Sequence, residues 1–304
     1  MEFVLVRRGE IRRAVMMRKG PSSNPLISVI IPSYNSLNEN ERIDRLLSSI
    51  MKQTYKNFEI IVVDNFSTDC VRKVCEHFGV RFFELKSTIS EARNFGLEKA
   101  RGDFVIFLDC DQVLPPKLFE ECVSLVNRED ADCVILEIDC IPTEIKNRKY
   151  FINCADMHNL EVRAGIGTTG TKLPLFHSAS VIGSERFPRK VQLGEDFIFA
   201  SRIMKKKPKV KKAESRILHC EDPSIKGLAI RSFRYGRAYI GLQKYSRGAY
   251  TFLRNISVLD CSTMRRLLSI LSSRPKTIFP FASYLLIKYV AFALGYLSAK
   301  LSFR

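Results

Sequence analysis

The chain has 304 residues, which is enough for one large α/β domain with appendages or for two modest domains. Its net charge of +17 indicates an anionic partner: nucleic acid, an anionic membrane surface or a phosphate-bearing substrate. The nine cysteines are scattered and include no Cys-x-x-Cys pair, which argues against a zinc site and is typical of small buried side chains in a reducing compartment.

The amino-terminal segment is basic. A short apolar start at residues 3–6 is followed by five arginines, the last of which is Arg18. Since the apolar piece precedes the positive charges and is too short, the segment does not fit a secretory signal. We expect residues 1–24 to form a basic arm that is poorly ordered or lies on an acidic surface.

Short apolar runs alternate with segments of helical periodicity from residue 26 onward. The apolar runs predict strands at 26–31, 58–63, 80–85, 104–108 and 133–138. The intervening segments predict helices at 39–54, 69–78, 88–100 and 116–127. The pair Thr88 and Glu91 forms a capping-box pattern at the start of the third helix. Unbroken apolar strands that alternate with helices predict a doubly wound, mostly parallel α/β sheet covered on both faces.

Two common nucleotide-binding motifs are missing, since the first strand lacks a Gly-x-Gly-x-x-Gly turn and the chain has no P-loop motif. Further along, residues 141–193 carry several glycines without strong periodicity, a pattern typical of a binding region. A helix is predicted from Gly194 to Met204, and a lysine-rich run at 205–212 follows it. Another helix, with a basic face, is predicted at 224–246.

Two aspartates, Asp109 and Asp111, come directly after the apolar run 104–108. The carboxyl end of a strand is where an open α/β sheet binds its ligands. Two neighbouring carboxylates repel each other unless a cation lies between them, and Mg²⁺ or Mn²⁺ often joins carboxylates to substrate phosphates. The pair therefore indicates a metal–diphosphate site, and the alternative is a turn with two solvated aspartates.

Five motifs, in this order along the chain, resemble those of the family 2 inverting glycosyltransferases with the GT-A fold. They are Val29-Ile30-Ile31-Pro32-Ser33-Tyr34-Asn35, Val62-Val63-Asp64-Asn65-Phe66-Ser67-Thr68-Asp69, Ala92-Arg93-Asn94-Phe95-Gly96, Asp109-Cys110-Asp111 and Gly194-Glu195-Asp196. The resemblance implies a GT-A catalytic domain over 25–246, with a nucleotide-binding half at 25–112 and an acceptor half at 113–246. It also implies a nucleotide-sugar donor, with uridine as the commonest base in the family.

The resemblance implies a role for each matching residue. The nucleotide-binding positions are Pro32, Tyr34, Asn35, Asp64, Arg93 and Asp109. The positions implied to hold Mn²⁺ or Mg²⁺ are Asp109, Asp111 and His219. Asp196 matches the catalytic base, which deprotonates the acceptor hydroxyl, and the neighbouring Glu195 is expected to orient the acceptor. The metal is expected to offset the charge that develops on the nucleoside diphosphate leaving group.

Five of these residues also have a structural interpretation. Asp64 could cap a helix, and Arg93 could form a surface salt bridge. Glu195 and Asp196 could favour a helix amino terminus through their charge. A lone histidine such as His219 is often structural.

The carboxyl-terminal segment, 247–304, is predicted to associate with a membrane. Residues 264–271 form an amphipathic pattern, and the apolar run 277–298 is long enough to span a bilayer. Lys288 in its centre would cost roughly 3 kcal/mol in a bilayer, and Pro280 also weakens a spanning helix. An in-plane or re-entrant anchor on the cytoplasmic face is favoured, with a single span and a helix packed on the catalytic domain as alternatives.

The expected partners are thus a nucleotide-sugar donor, a lipid-linked or glycan acceptor and an anionic membrane surface. Nucleic acid is not expected, because no RNA-binding or helix-turn-helix signature accompanies the charge and the lysine run lacks interleaved aromatic residues. A membrane-anchored scaffold with an inactive transferase domain is the remaining alternative, and the intact Asp109, Asp111 and Asp196 argue against it.

Overall fold

The structure, a computed structural model, describes residues 24–38, 42–142, 152–164, 174–189, 191, 193–245 and 261–302. Nearly all of the expected basic arm lies outside these residues. The strands are β1 Ile27–Ser33, β2 Phe58–Asp64, β3 Arg81–Glu84, β4 Phe104–Phe107, β5 Gln112–Val113, β6 Cys133–Pro142, β7 Pro174–Ser178 and β8 Val210–Glu221. The helices are α1 Ile43–Met51, α2 Val71–His77, α3 Ile89–Lys99, α4 Leu118–Glu129, α5 Cys154–Ala164, α6 Ala179–Ile182, α7 Glu195–Met204, α8 Ile225–Tyr245, α9 Cys261–Ser273 and α10 Ile278–Ser302.

The strands form one sheet in the order β3-β2-β1-β4-β7-β6-β8-β5. Its first four strands are mutually parallel, as expected for a doubly wound fold. Strand β7 is antiparallel to both β4 and β6, and β5 is antiparallel to β8. The α/β fold class is confirmed, and the sheet is parallel in one half and mixed in the other.

The parallel half is apolar on both faces because helices cover it on both sides. Val29 and Ile31 of β1 belong to a core cluster with α1 and α4, whereas Ile30 packs in a second cluster with α3 and α7. Gly96 of α3 lies so close to Ile30 that an added Cβ would fall 2.4 Å from its side chain. The helix can therefore approach the strand only where the side chain is missing.

The helix α3 begins as its capping box predicts. The Thr88 hydroxyl accepts the Glu91 backbone N–H at 3.3 Å, and the Glu91 carboxylate accepts the Thr88 N–H at 3.0 Å. Although residues 141–193 lack strong periodicity, α5, β7 and α6 lie in that segment, and its role as a binding region stays a prediction. All three are short and their apolar residues do not repeat at one period, so periodicity alone misses them.

The carboxyl-terminal helix α10 packs along α8. An added Cβ on Gly295 would lie 2.0 Å from the Phe233 carbonyl oxygen, and one on Gly236 would lie 2.0 Å from the Phe292 carbonyl oxygen. The two glycines thus allow the helix backbones to touch. On the side of α5, Tyr284 is fully buried in a cluster with Met157 and other residues of α5 and α8. The helix α10 therefore packs on both α8 and α5.

Candidate functional site

Several of the expected site residues lie at the carboxyl edge of the parallel strands. Asp64 is the last residue of β2, and Asp109 follows β4 by two residues. The Cys110 thiol donates to the Pro32 carbonyl oxygen at the end of β1, 3.3 Å away. The ends of three adjacent strands therefore form one surface, as the apolar runs predict.

The loop after β2 is organised by two of the expected nucleotide-binding residues. The Asp64 carboxylate is buried and accepts the Ser67 N–H at 2.7 Å and the Ser67 hydroxyl at 2.5 Å. The amide oxygen of Asn35 accepts the Thr68 N–H at 2.8 Å, and Asn35 has a positive φ of 49°. Tyr34 beside it is exposed. In this structure Asp64 shapes the loop, and the ring of Tyr34 is open to solvent beside it.

Asp111 meets His219 through a strand pairing that the sequence did not reveal. Residue Gln112 of β5 lies opposite His219 of β8 in an antiparallel register. As a result, Nε2 of His219 lies 2.9 Å from Oδ2 of Asp111, and the Asp111 carbonyl accepts the Cys220 N–H at 2.7 Å. Burial alone would lower the pKa of His219, but its hydrogen bonds to Asp111 and Cys140, together with the charges of these groups, outweigh that effect and raise the pKa well above the usual value.

This arrangement fits a hard divalent cation. The Oδ1 atom of Asp111 is buried and has no hydrogen-bond partner among the described residues. A buried carboxylate oxygen without a donor is costly unless a cation or water meets it. Asp111 and His219 thus offer two adjacent ligand groups for Mn²⁺ or Mg²⁺, whereas the half-exposed carboxylate of Asp109 is hydrogen-bonded to Arg93.

Arg93 joins the two acidic motifs. Its Nη2 donates to Oδ1 of Asp109 at 2.7 Å and its Nη1 donates to Oε1 of Glu195 at 2.9 Å. The guanidinium lies over the ring of Phe187, with its carbon 5.4 Å from the ring centroid. The side chain is buried, so the interpretation of Arg93 as a surface salt bridge does not describe it. Arg93 instead holds α3, the end of β4 and the start of α7 together.

The charges at this junction influence each other. Burial lowers the pKa of Arg93, but the carboxylates of Asp109, Glu195 and Asp196 together raise it above the usual value. Burial, with repulsion from Asp196, raises the pKa of Glu195 to about 7 despite the attraction of Arg93. Its Oε2 is also buried without a partner among the described residues. Glu195 is therefore a carboxyl group that can hold a proton near neutral pH.

The next residue, Asp196, has the opposite environment. Helix α7 starts at Glu195 after Gly194, whose positive φ of 79° turns the chain sharply into the helix. Glu195 then points inward, while Asp196 is exposed. On helix α8, which packs on α7 through Tyr239 and Ile198, the exposed Tyr235 lies close enough for the charges of Asp196 and Glu195 to reach it. Asp196 is thus open to solvent, and Tyr235 shares its surroundings.

The structure also brings together three side chains that sequence analysis missed. Single ligand atoms of Cys140, His158 and Glu221 all lie within 4.8 Å of one another. Cys140 and Glu221 come from the ends of the paired strands β6 and β8, and His158 comes from α5. No local motif joins them, because they come from three elements. Tyr235 was likewise missed as a neighbour of Asp196, although its basic helix was predicted.

A comparison with known families gives an independent result. The sequence model of Glycosyl transferase family 2 matches residues 28–187. Among curated proteins, the chain is similar to the glycosyltransferase GlyG of Streptococcus pneumoniae serotype 4, with 34% identity over 117 residues. That match covers 36% of this chain and 38% of GlyG, so the chain matches well under half of its relative.

Solved structures share the fold over most of the chain. The mannosyltransferase PcManGT from Pyrobaculum calidifontis, in complex with GDP-Man and Mn²⁺, has a TM-score of 0.57 and 16% identity, and the match covers 91% of this chain and 89% of PcManGT. The fragment 1–349 of S. aureus TarS, in complex with UDP, has a TM-score of 0.51 and 15% identity, with 91% of each chain covered. At these identities the likeness supports the GT-A fold alone.

Proposed function

The chain belongs to glycosyl transferase family 2, and from this membership we propose that it transfers a sugar, with inversion, from a nucleotide-diphospho-sugar donor to an acceptor hydroxyl. One observation carries the proposal. Arg93 ties the Asp109 motif to the Glu195–Asp196 motif by two hydrogen bonds, so the expected donor and acceptor residues share one site.

The donor is expected at the carboxyl ends of β1, β2 and β4. The exposed ring of Tyr34 and the loop held by Asn35 and Asp64 would receive the nucleoside. A solved relative in fold binds UDP and another binds GDP-Man, which supports a nucleoside diphosphate donor. Uridine is the base we expect first.

A divalent cation is expected beside the donor diphosphate. Asp111 and His219 would hold Mn²⁺ or Mg²⁺, with Asp109 as the third ligand or as a ribose partner. When bound, the cation offsets the negative charge that builds up on the leaving diphosphate. Arg93 keeps Asp109 in place by a charge-assisted hydrogen bond. The Arg93 guanidinium is itself fixed, because it is buried and also donates to the carboxylate of Glu195.

Asp196 is proposed as the base. In inverting transfer, a carboxylate takes the proton of the acceptor hydroxyl as its oxygen attacks the anomeric carbon on the face opposite the leaving group. Asp196 has an exposed carboxylate suited to this step, with Oδ1 accepting the Phe197 N–H at 2.7 Å, whereas Glu195 is buried against Arg93. We propose that Glu195 orients the acceptor side of the site through α7, with Tyr235 on the facing helix beside it.

The acceptor is proposed to be lipid-linked or presented at the cytoplasmic face of a membrane. Among the described residues, one helical segment, Pro275–Leu301, is long and apolar enough to cross a bilayer. Its exposed side carries a stripe of large apolar side chains at helical spacing, Phe279, Leu286, Val290, Leu294, Leu297 and Leu301. We refer to these residues as the α10 stripe. Residues 261–302 have six basic and no acidic residues, which complements an anionic leaflet.

The contacts of α10 favour a helix that lies in the membrane plane. Nζ of Lys288 lies 2.8 and 2.6 Å from the two carboxylate oxygens of Glu161, which is 1% exposed. A lysine that would be costly in a bilayer is thus paired inside the protein. With one side docked on α5 and α8 and the α10 stripe facing outward, the helix can enter the interface without leaving the domain.

The test is a panel of nucleotide sugars incubated with the full-length protein, Mn²⁺ and vesicles that contain polyprenyl phosphate. We expect one donor class to release its nucleoside diphosphate, and NMR of the glycosylated product to show inverted anomeric configuration. Release that Asp196→Asn leaves unchanged, or a product with retained configuration, would contradict the proposal. No release from any donor would contradict it as well, provided that the protein is folded by circular dichroism.

A further inference from the structure

A cluster of three side chains beside the candidate active site has metal-ligand chemistry of a different kind. We propose that Cys140, His158 and Glu221 form a binding site for a thiophilic divalent cation of the zinc class, separate from the hard-cation site at Asp111. Their ligand atoms, one from each side chain, all lie within 4.8 Å of one another. The inference goes beyond the proposed transfer reaction and does not depend on it.

The donor set selects the class of cation. A thiolate and an imidazole favour Zn²⁺ over Mg²⁺ or Mn²⁺, which prefer oxygen ligands. Tetrahedral zinc with bonds of about 2.0–2.3 Å places its ligands about 3.3–3.8 Å apart, so the side chains need to close by on the order of 1 Å. Nδ1 of His158 already lies 3.8 Å from Oε2 of Glu221. Three protein ligands leave the fourth position for water.

The backbone around the cluster is fixed before any cation binds. The side-chain amide of Asn159, next to His158 in α5, makes two hydrogen bonds with the backbone of Cys140. Its Oδ1 accepts the Cys140 N–H at 2.7 Å, and its Nδ2 donates to the Cys140 carbonyl at 2.6 Å. Glu221 lies on the neighbouring strand, opposite Pro142 in the parallel β6–β8 register. Helix α5 and strands β6 and β8 are therefore held together by contacts that do not involve the three ligand side chains.

Further side chains support the ligands from outside the cluster. Nη2 of Arg231 binds Oε1 of Glu221 at 2.5 Å, which orients the carboxylate. Nδ1 of His219 lies 3.8 Å from the sulfur of Cys140, while its Nε2 meets Asp111. Such outer contacts orient the ligands of metal sites. The imidazole ring of His219 therefore lies between the proposed site at Cys140 and the hard-cation site at Asp111.

The test uses Co²⁺, a spectroscopic substitute for Zn²⁺, with the full-length protein in a Cys70→Ser background that removes an exposed thiol. We expect one equivalent of Co²⁺ to produce a thiolate charge-transfer band in the near ultraviolet, and Zn²⁺ to abolish it. Cys140→Ser should remove the band, and His158→Ala should weaken Co²⁺ binding at least tenfold. The matched control Cys122→Ser, at a buried cysteine in α4, should keep the band.

The outcomes separate this site from the proposed transferase site. Asp111→Ala should keep the cobalt band even if donor binding is lost, because Asp111 is not among the three ligands. Absence of a thiolate band in the folded parent protein would overturn the inference, and so would a band that survives Cys140→Ser. If Cys140→Ser does not fold, His158→Ala decides, since unchanged Co²⁺ affinity in that variant also overturns the inference.

Discussion

Arg93 donates a 2.9 Å hydrogen bond to Glu195, and both side chains are buried. The bond joins α3, which follows the nucleotide-binding strands, to α7, which carries the proposed base. A buried ion pair contributes little net stability, but removing one partner leaves the other charge unpaired. The pair therefore matters most for geometry, since it holds the two acidic motifs of the site in one arrangement.

The first prediction concerns the stability of the protein as a function of pH. Because the pKa of Glu195 is raised from 4.5 to about 7, the folded state binds an extra proton between these values. The contribution of Glu195 to stability is then fully present below about pH 4.5 and is lost as the pH rises through 7. The measurement is the free energy of unfolding in urea, in metal-free buffer, at pH 5 and at pH 8. We expect it to fall between these two values in the wild type, and to fall less in Glu195→Gln, with a difference on the order of 1–3 kcal/mol.

A control separates this effect from the general titration of the protein. Glu185→Gln removes a carboxylate 3.8 Å from Lys206, outside the Arg93 junction. Its pH profile should match that of the wild type. Identical profiles for Glu195→Gln and the wild type would show that the buried carboxyl does not titrate in this range.

The second prediction concerns the proposed base. Asp196→Asn keeps the shape of the side chain but cannot take a proton, so kcat should fall roughly 10²-fold or more while donor affinity is unchanged. Asp130→Asn, an exposed aspartate at the end of α4, serves as the control and should keep full activity. Steady-state kinetics with the active donor measure both. A kcat for Asp196→Asn within a factor of three of the wild type would assign the base elsewhere.

The third prediction distinguishes a docked α10 from a spanning helix. Lys288→Met leaves Glu161 buried without its cation, although the Tyr284 hydroxyl still donates to it at 3.0 Å. We expect a loss of about 3 kcal/mol in unfolding free energy, part of which Glu161→Gln in the same background restores. Lys300→Met, an exposed site on the same helix, should change stability by less than about 0.5 kcal/mol. A Lys288→Met protein as stable as the wild type would favour a helix that leaves the domain.

The fourth prediction concerns the α10 stripe. Replacing Leu286, Leu294 and Leu297 by glutamine removes exposed apolar area without disturbing the packed side, so flotation with phosphatidylglycerol vesicles should weaken by roughly 10²-fold or more. The control exchanges Met51 and Met204, which are exposed on the catalytic domain, for glutamine. It should float like the wild type. Equal flotation of the stripe variant and the wild type would place the membrane contact elsewhere.

The sequence predicts this fold well where the signal is local. Apolar runs and the Thr88 capping box locate most of the parallel half, and with it Asp64 and Asp109 at strand ends. Contacts between distant segments carry no such signal. The antiparallel pairing that brings His219 to Asp111 and the Lys288–Glu161 pair both depend on tertiary packing. Family resemblance pointed to His219, whereas nothing in the chain pattern pointed to Glu161.

The central claim is that a divalent cation, held through Asp111, binds the donor diphosphate. Calorimetric titration of the full-length protein with UDP, in Mn²⁺ and then in EDTA, tests it most directly, and GDP replaces UDP if the donor panel identifies a guanosine donor. We predict that the nucleotide binds in Mn²⁺ and that binding is lost in EDTA and in a folded Asp111→Ala variant. The reason is that Oδ1 of Asp111, which has no hydrogen-bond partner among the described residues, would be a metal ligand. Equal nucleotide affinity with and without the metal, or in Asp111→Ala, would contradict the account.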